Sequence, residues 1–248
     1  PPCWRAVRYH PFPGAFWPTN GSTGDLFIRL PPSFRRGADG GDAPAIYRLN
    51  LALVEAAVTA PAPTGPVDRE VDPIDERPIG FDLDGDGAIS AAVTRVRRLP
   101  PTYAGAAGGE PVVAQEYPPG TELLHSVRYV DPDQPTLMAA RMKELRYARK
   151  VEQLDDWGRR RAYDEVADEK SEGRAPRYQG DATVGFLNGF GWQYQGFIED
   201  AGGRLRLQTD EEHRACLGCH GALGVTVDHS FAFPRKVPGG DGWRPGRG

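Results

Sequence analysis

The amino-acid sequence predicts an α+β fold that is rich in loops, with short antiparallel strands, one long amphipathic helix and a short C-terminal helix. Three observations lead there. Gly and Pro, 31 and 24 of the 248 residues, cluster in "RRGADGGDAPA" (35–45), "TAPAPTGP" (59–66), "PPTYAGAAGGEP" (100–111) and the tail 238–248, and such clusters punctuate a chain into short elements. Brief runs of β-forming residues lie between them. One stretch, 135–171, contains no proline after Pro135 and is dense in Ala, Leu, Glu, Lys and Arg, the strong helix formers.

In chain order, the strand-like runs are "DLFIRL" (25–30), "PVVAQEY" (111–117), "TELLHSVRYV" (121–130) and a hairpin over 191–209, in which "GWQYQGFIED" returns through "AGG" into "RLRLQT". Within 135–171, Met138, Met142, Leu145, Ala148, Val151 and Leu154 recur at steps of three or four, the stripe of an amphipathic helix. A break is expected at Gly158. Further on, Thr209 and Glu212 have the spacing of a capping box, and Asp210, Glu211 and Glu212 complement the positive end of a helix dipole. A helix should therefore start at Asp210 and stop near Gly221. These elements divide into a β- and loop-rich region, 1–134, and a helical and hairpin region, 135–248, either separate or as one continuous domain.

Composition narrows the function. With 30 basic and 34 acidic side chains the net charge is −4, which lacks the basic footprint of a nucleic-acid binder. No run approaches the roughly 20 apolar residues of a membrane span, and "PPCWRAVRYH" lacks the basic-then-apolar pattern of a signal peptide. Neither a nucleic-acid partner nor a transmembrane segment is expected. Three cysteines are too few for a disulfide framework. Cys3 is an odd thiol, either buried and inert, bonded to another chain, or near a processed lipidated terminus.

The other two cysteines lie in "RACLGCHGAL" (214–223). On a helix, Cys216, Cys219 and His220 fall at i, i+3 and i+4 and share one face. Zinc would need a fourth ligand from Cys3, His213 or His229, and a thiol-redox pair would need a βαβ context that the sequence lacks. The Cys-x-x-Cys-His motif resembles the heme-attachment site of c-type cytochromes. That resemblance implies one covalent heme c on Cys216 and Cys219, with His220 on the iron. Met142, on the predicted long helix, is the favoured sixth ligand, with Met138, His229 and His125 as alternatives.

"FDLDGDGAIS" (81–90) places Asp82, Asp84 and Asp86 at alternate positions, with Gly87 for a sharp turn and the Ala88 carbonyl following. It resembles the first part of an EF-hand loop, and its hard oxygen ligands suit Ca2+. The twelfth loop position is Val93 where that family has a bidentate Glu. Glu70, Asp72, Asp75 or Glu76 would have to supply the missing carboxylate.

Together these motifs predict a single-heme electron carrier of the periplasm or cell exterior, not an enzyme, docking to redox partner proteins or to copies of itself in a larger assembly. The rivals are a peroxidase-like or gas-binding protein with an open iron site, and a structural assembly subunit.

Overall fold

The computed structural model describes residues 3–8, 22–61, 66–135, 137–174, 177–219, 227–230, 233 and 236–244, with backbone alone at 22–23, 215–219 and 244. In chain order its elements are β1 (Arg5–Val7), β2 (Ser22–Thr23), β3 (Leu26–Arg29), α1 (Pro44–Val58), β4 (Arg69–Ile74), β5 (Val93–Val96), β6 (Glu122–Val130) and β7 (Met138–Lys150). There follow α2 (Asp156–Ser171), β8 (Gln179–Asp181), β9 (Gly185–Leu187), β10 (Trp192–Glu199), β11 (Leu205–Leu207), α3 (Asp210–Cys219) and β12 (Trp243–Arg244).

Ten of these strands form one antiparallel sheet. Its order is β12-β1-β3-β6-β7-β10-β9-β8, with β2 also pairing β6 and β11 also pairing β10. β4 and β5 make a separate two-stranded sheet. The β6–β7 hairpin spans residue 134, so the large sheet takes strands from both sides of that position.

The architecture is mainly β, which corrects the α+β expectation, and the correction is sharpest over 135–171. The predicted long helix is a 13-residue strand, β7, followed by the 16-residue helix α2. β7 pairs with β6 on one side and with β10 on the other, and a central strand of this kind overrides local propensity. Its charged and polar side chains find partners without any helix: Tyr147 donates to Glu122 at 2.6 Å and Arg141 pairs with Glu199 across to β10 at 2.9 Å. Met138 and Met142 consequently sit opposite Val130 and Arg128 on a sheet. α2 starts two residues before Gly158, because the Asp155 side chain accepts the Gly158 N–H at 2.7 Å and caps the helix.

Strands expected at 25–30, 121–130 and 191–209 correspond to β3, β6 and the β10–β11 hairpin. Residues 111–117 contain no strand; an isolated bridge between Thr102 and Pro111 and the Gln115 N–H donating to the Ala57 carbonyl at 2.9 Å are among the contacts that hold them. Helix α1 lies where the sequence shows no helical stripe. Twelve of its 15 residues are buried, and a helix apolar on nearly every side carries little amphipathic signal. Its one buried amide is satisfied: Asn50 donates to the carbonyls of Phe34 and Ala104 at 3.0 and 3.1 Å and accepts from the Ala104 N–H at 2.8 Å.

Candidate functional site

The loop from β4 to β5 gathers carboxylates. Leu83, fully buried, anchors its middle, while Gly85 and Gly87 turn the chain through φ of +75° and +89°, a region that favours glycine. Asp82 accepts the N–H groups of Gly85 and Gly87 at 2.7 and 3.1 Å. Asp84 accepts that of Asp86 at 3.2 Å. Glu76, fully buried, reaches in from the other arm of the loop and accepts the N–H groups of Leu83 and Ser90 at 2.7 and 2.8 Å.

Carboxylate oxygens of Glu76, Asp82 and Asp84 lie within 4.8 Å of one another. Two oxygens on opposite sides of one Ca2+ are about 4.6–5.2 Å apart at ordinary bond lengths of about 2.3–2.6 Å, so the spacing fits that ion. Burial pushes the Asp82 carboxyl up, but the Gly85 and Gly87 N–H groups and the Arg98 guanidinium outweigh it and hold the carboxyl below the usual range. Of the four carboxylates proposed to complete the site, Glu76 is the one that converges with the loop. Asp86 is exposed, turned back to accept the Ala88 N–H at 2.8 Å, and lies outside the cluster. Ala88 is exposed as well.

A second constellation lies between β7, α2 and the 227–230 turn. A cavity of about 530 Å³ opens there. On its floor Lys150, nearly fully buried, donates to Asp228 at 2.7 Å and to the Phe190 carbonyl at 2.9 Å. On its wall the buried Glu116 is paired with Arg159, which in turn holds Asp156. Burial pushes the carboxyls of Glu116 and Asp228 upward against the pull of Lys150 on both and of Arg159 on Glu116. The His229 ring packs on Phe190 with centroids 3.5 Å apart, and Tyr163 meets Phe190 edge-on at 4.9 Å. Sequence reasoning weighed His229 as a possible iron ligand and missed the rest, which converge from four separate segments.

The predicted capping box is present: Thr209 N–H donates to Glu212 at 2.8 Å and Glu212 N–H to the Thr209 hydroxyl at 3.3 Å. α3 begins at Asp210, as the box dictates, and carries the backbone of Cys216 and Cys219. The side chains of these cysteines, and all of His220, lie outside the described residues. Cys3 is exposed rather than buried, and its carbonyl accepts the Tyr47 hydroxyl at 2.7 Å.

The sheet, the carboxylate loop and the cavity define a mainly β domain. A lipoprotein family model matches residues 2–246, and the chain belongs to this family. An uncharacterized lipoprotein of Aquifex aeolicus (strain VF5) is 37% identical over 243 residues, which are 97% of this chain and 37% of that protein. The chain thus spans little more than a third of that relative's length. No solved structure matches it.

Family membership overturns the cytochrome expectation. The resemblance rests on the five residues 216–220, whereas the lipoprotein match runs nearly end to end, so the single-heme electron carrier does not stand. Met142 itself lies on β7 and not on the long helix expected to carry it. A lipoprotein family agrees with an extracytoplasmic location. Among the described residues no helix is long and apolar enough to cross a membrane.

Proposed function

We propose that this domain works in the periplasm or at the cell exterior as a Ca2+-braced binding module, not as an enzyme. The observation that carries the reading is the meeting of the buried Glu76 with Asp82 and Asp84 within 4.8 Å. Three carboxylates drawn that close repel one another, and a cation among them relieves that repulsion more fully than the surrounding N–H groups and Arg98 alone. Loops of this kind offer hard oxygen ligands, and affinities of extracellular calcium modules run to about 10⁻⁴–10⁻³ M, which suits a compartment where calcium is plentiful. The ion would pin an 18-residue connection, 75–92, between two short strands. Calorimetric titration of the purified domain with CaCl2 tests the proposal. Saturable binding near one equivalent, weakened by Asp84→Asn, is expected, and absence of heat up to several millimolar would overturn it.

A further inference from the structure

The cavity lined by Glu116, Lys150, Arg159, Tyr163, Phe190 and His229 is a place where the chain accepts strain. Five non-glycine residues among those described have positive φ, and three of them, Gln115, Asp228 and His229, at +65°, +45° and +59°, line this cavity. Val227 and Ser230 exchange both backbone hydrogen bonds, at 3.0 and 2.9 Å, so Asp228 and His229 occupy the two central positions of a tight hairpin turn. That geometry favours Asn-Gly or Asp-Gly. Asp228 suits the first position, whereas His229 stands where glycine is usual, and a non-glycine residue held there is of the kind found where side chains are presented to a ligand.

The turn aims both side chains. Asp228 is locked by Lys150 and by the Tyr117 N–H at 2.9 Å, and His229 is laid on Phe190. With Tyr163, Leu154 and Val227 these rings give the cavity an apolar face. The same cavity is lined by Glu116, whose Oε2 is buried without a hydrogen-bond partner, and by Arg159, paired with Glu116 and Asp156, and Arg160.

The charges on the lining cancel: Lys150, Arg159 and Arg160 stand against Glu116, Asp156 and Asp228. A lining without net charge favours neither a polyanion nor a polycation. The cavity presents charged donors and acceptors, largely paired with one another, beside an aromatic wall, and its volume of about 530 Å³ falls within the range of about 300–1,000 Å³ for small-molecule sites. A ring with an apolar C–H face, and hydroxyls that each donate and accept, suits an aromatic wall beside paired ionic groups and one unpartnered carboxylate oxygen. We propose that this cavity binds a saccharide, with a ring stacked on Tyr163 and a hydroxyl donating to Glu116. The raised Glu116 carboxyl is in keeping with an acceptor whose burial is relieved by such a partner. The inference does not depend on the calcium loop.

The test is calorimetric and NMR titration of the whole domain, in calcium and in EGTA, with the neutral sugars cellobiose, chitobiose and xylobiose. Millimolar or tighter binding of at least one is expected. Tyr163→Ala should weaken it at least tenfold, by more than any loss of packing against Phe190 explains, which the melting temperature measures alongside; Arg160→Ala, at an exposed position, provides a second variant that leaves the aromatic packing intact. No binding of any of the three would overturn the proposal, as would binding that both variants leave unchanged. Phenylacetate binding there in place of the sugars would overturn it too, by assigning the cavity to an aromatic carboxylate.

Discussion

Lys236 and Glu55, 181 residues apart, form a 3.0 Å ion pair in which both side chains are completely buried. Burial pushes the Glu55 carboxyl up and the Lys236 ammonium down, each toward its neutral form, against their mutual attraction. The pair persists because it is embedded in further polar contacts. Lys236 also donates to the carbonyls of Val237 and Gly239 at 3.1 and 3.2 Å, and Glu55 also holds Arg69 at 2.8 Å. This network ties the segment leading to β12 onto α1.

Breaking one side of that pair leaves a charge buried without compensation. Lys236→Met and Glu55→Gln should each cost about 3–5 kcal/mol, and the double variant with Glu55→Leu should recover much of the loss. Urea unfolding of the four proteins checks this; single variants with unchanged midpoints would refute it.

Calcium should stabilise the fold by mass action. At a concentration 100-fold above the dissociation constant the gain is about 2.7 kcal/mol, or about 5–10 °C in Tm for a chain of this size. Asp84→Asn should shrink the rise while leaving the melting temperature in EGTA nearly unchanged. Glu76→Gln should lower Tm even in EGTA, because Glu76 also braces the N–H groups of Leu83 and Ser90.

Glu212 gives α3 a pH dependence. Hydrogen bonds from Arg206, and next the Thr209 N–H, outweigh desolvation and hold its carboxyl at about 2, below its ordinary value of 4.5. A depressed acid contributes stability that is complete above the ordinary value and is lost as pH falls through the folded one. Glu212→Gln should therefore flatten the stability curve between about pH 4.5 and 2, measured by circular dichroism melts.

His213 joins α3 to the sheet. Its Nδ1 lies 3.0 Å from the Thr209 carbonyl, which can only accept, so Nε2 is free to accept the Gly196 N–H at 2.8 Å. The ring is buried. His213→Ala should cost about 1–3 kcal/mol through the orphaned N–H, and in hydrogen exchange the Gly196 amide should lose more protection than the amides of β6.

What the sequence determined by itself was local. The capping box at Thr209 and Glu212, the β10–β11 hairpin and the Asp82–Asp84 loop each depend on residues a few positions apart, where turn chemistry and side chain to backbone bonding act directly. Over 138–150 the same local signals pointed the wrong way. Its helix formers and its three-four stripe are real, but β6 and β10 offer hydrogen bonds on both sides of an extended chain, and that pairing prevails. The cysteine motif misled in function because five residues say little about a chain of 248. Only the tertiary structure decided which of four carboxylates, Glu76, meets the Asp82–Asp84 loop, and only it assembled the cavity, where Asp228 reaches Lys150 across 78 residues and Tyr117 across 111. Contacts at that separation leave no periodicity in a sequence. They follow from the order in which strands pair and helices bury their faces, which is settled by the packing of the whole chain.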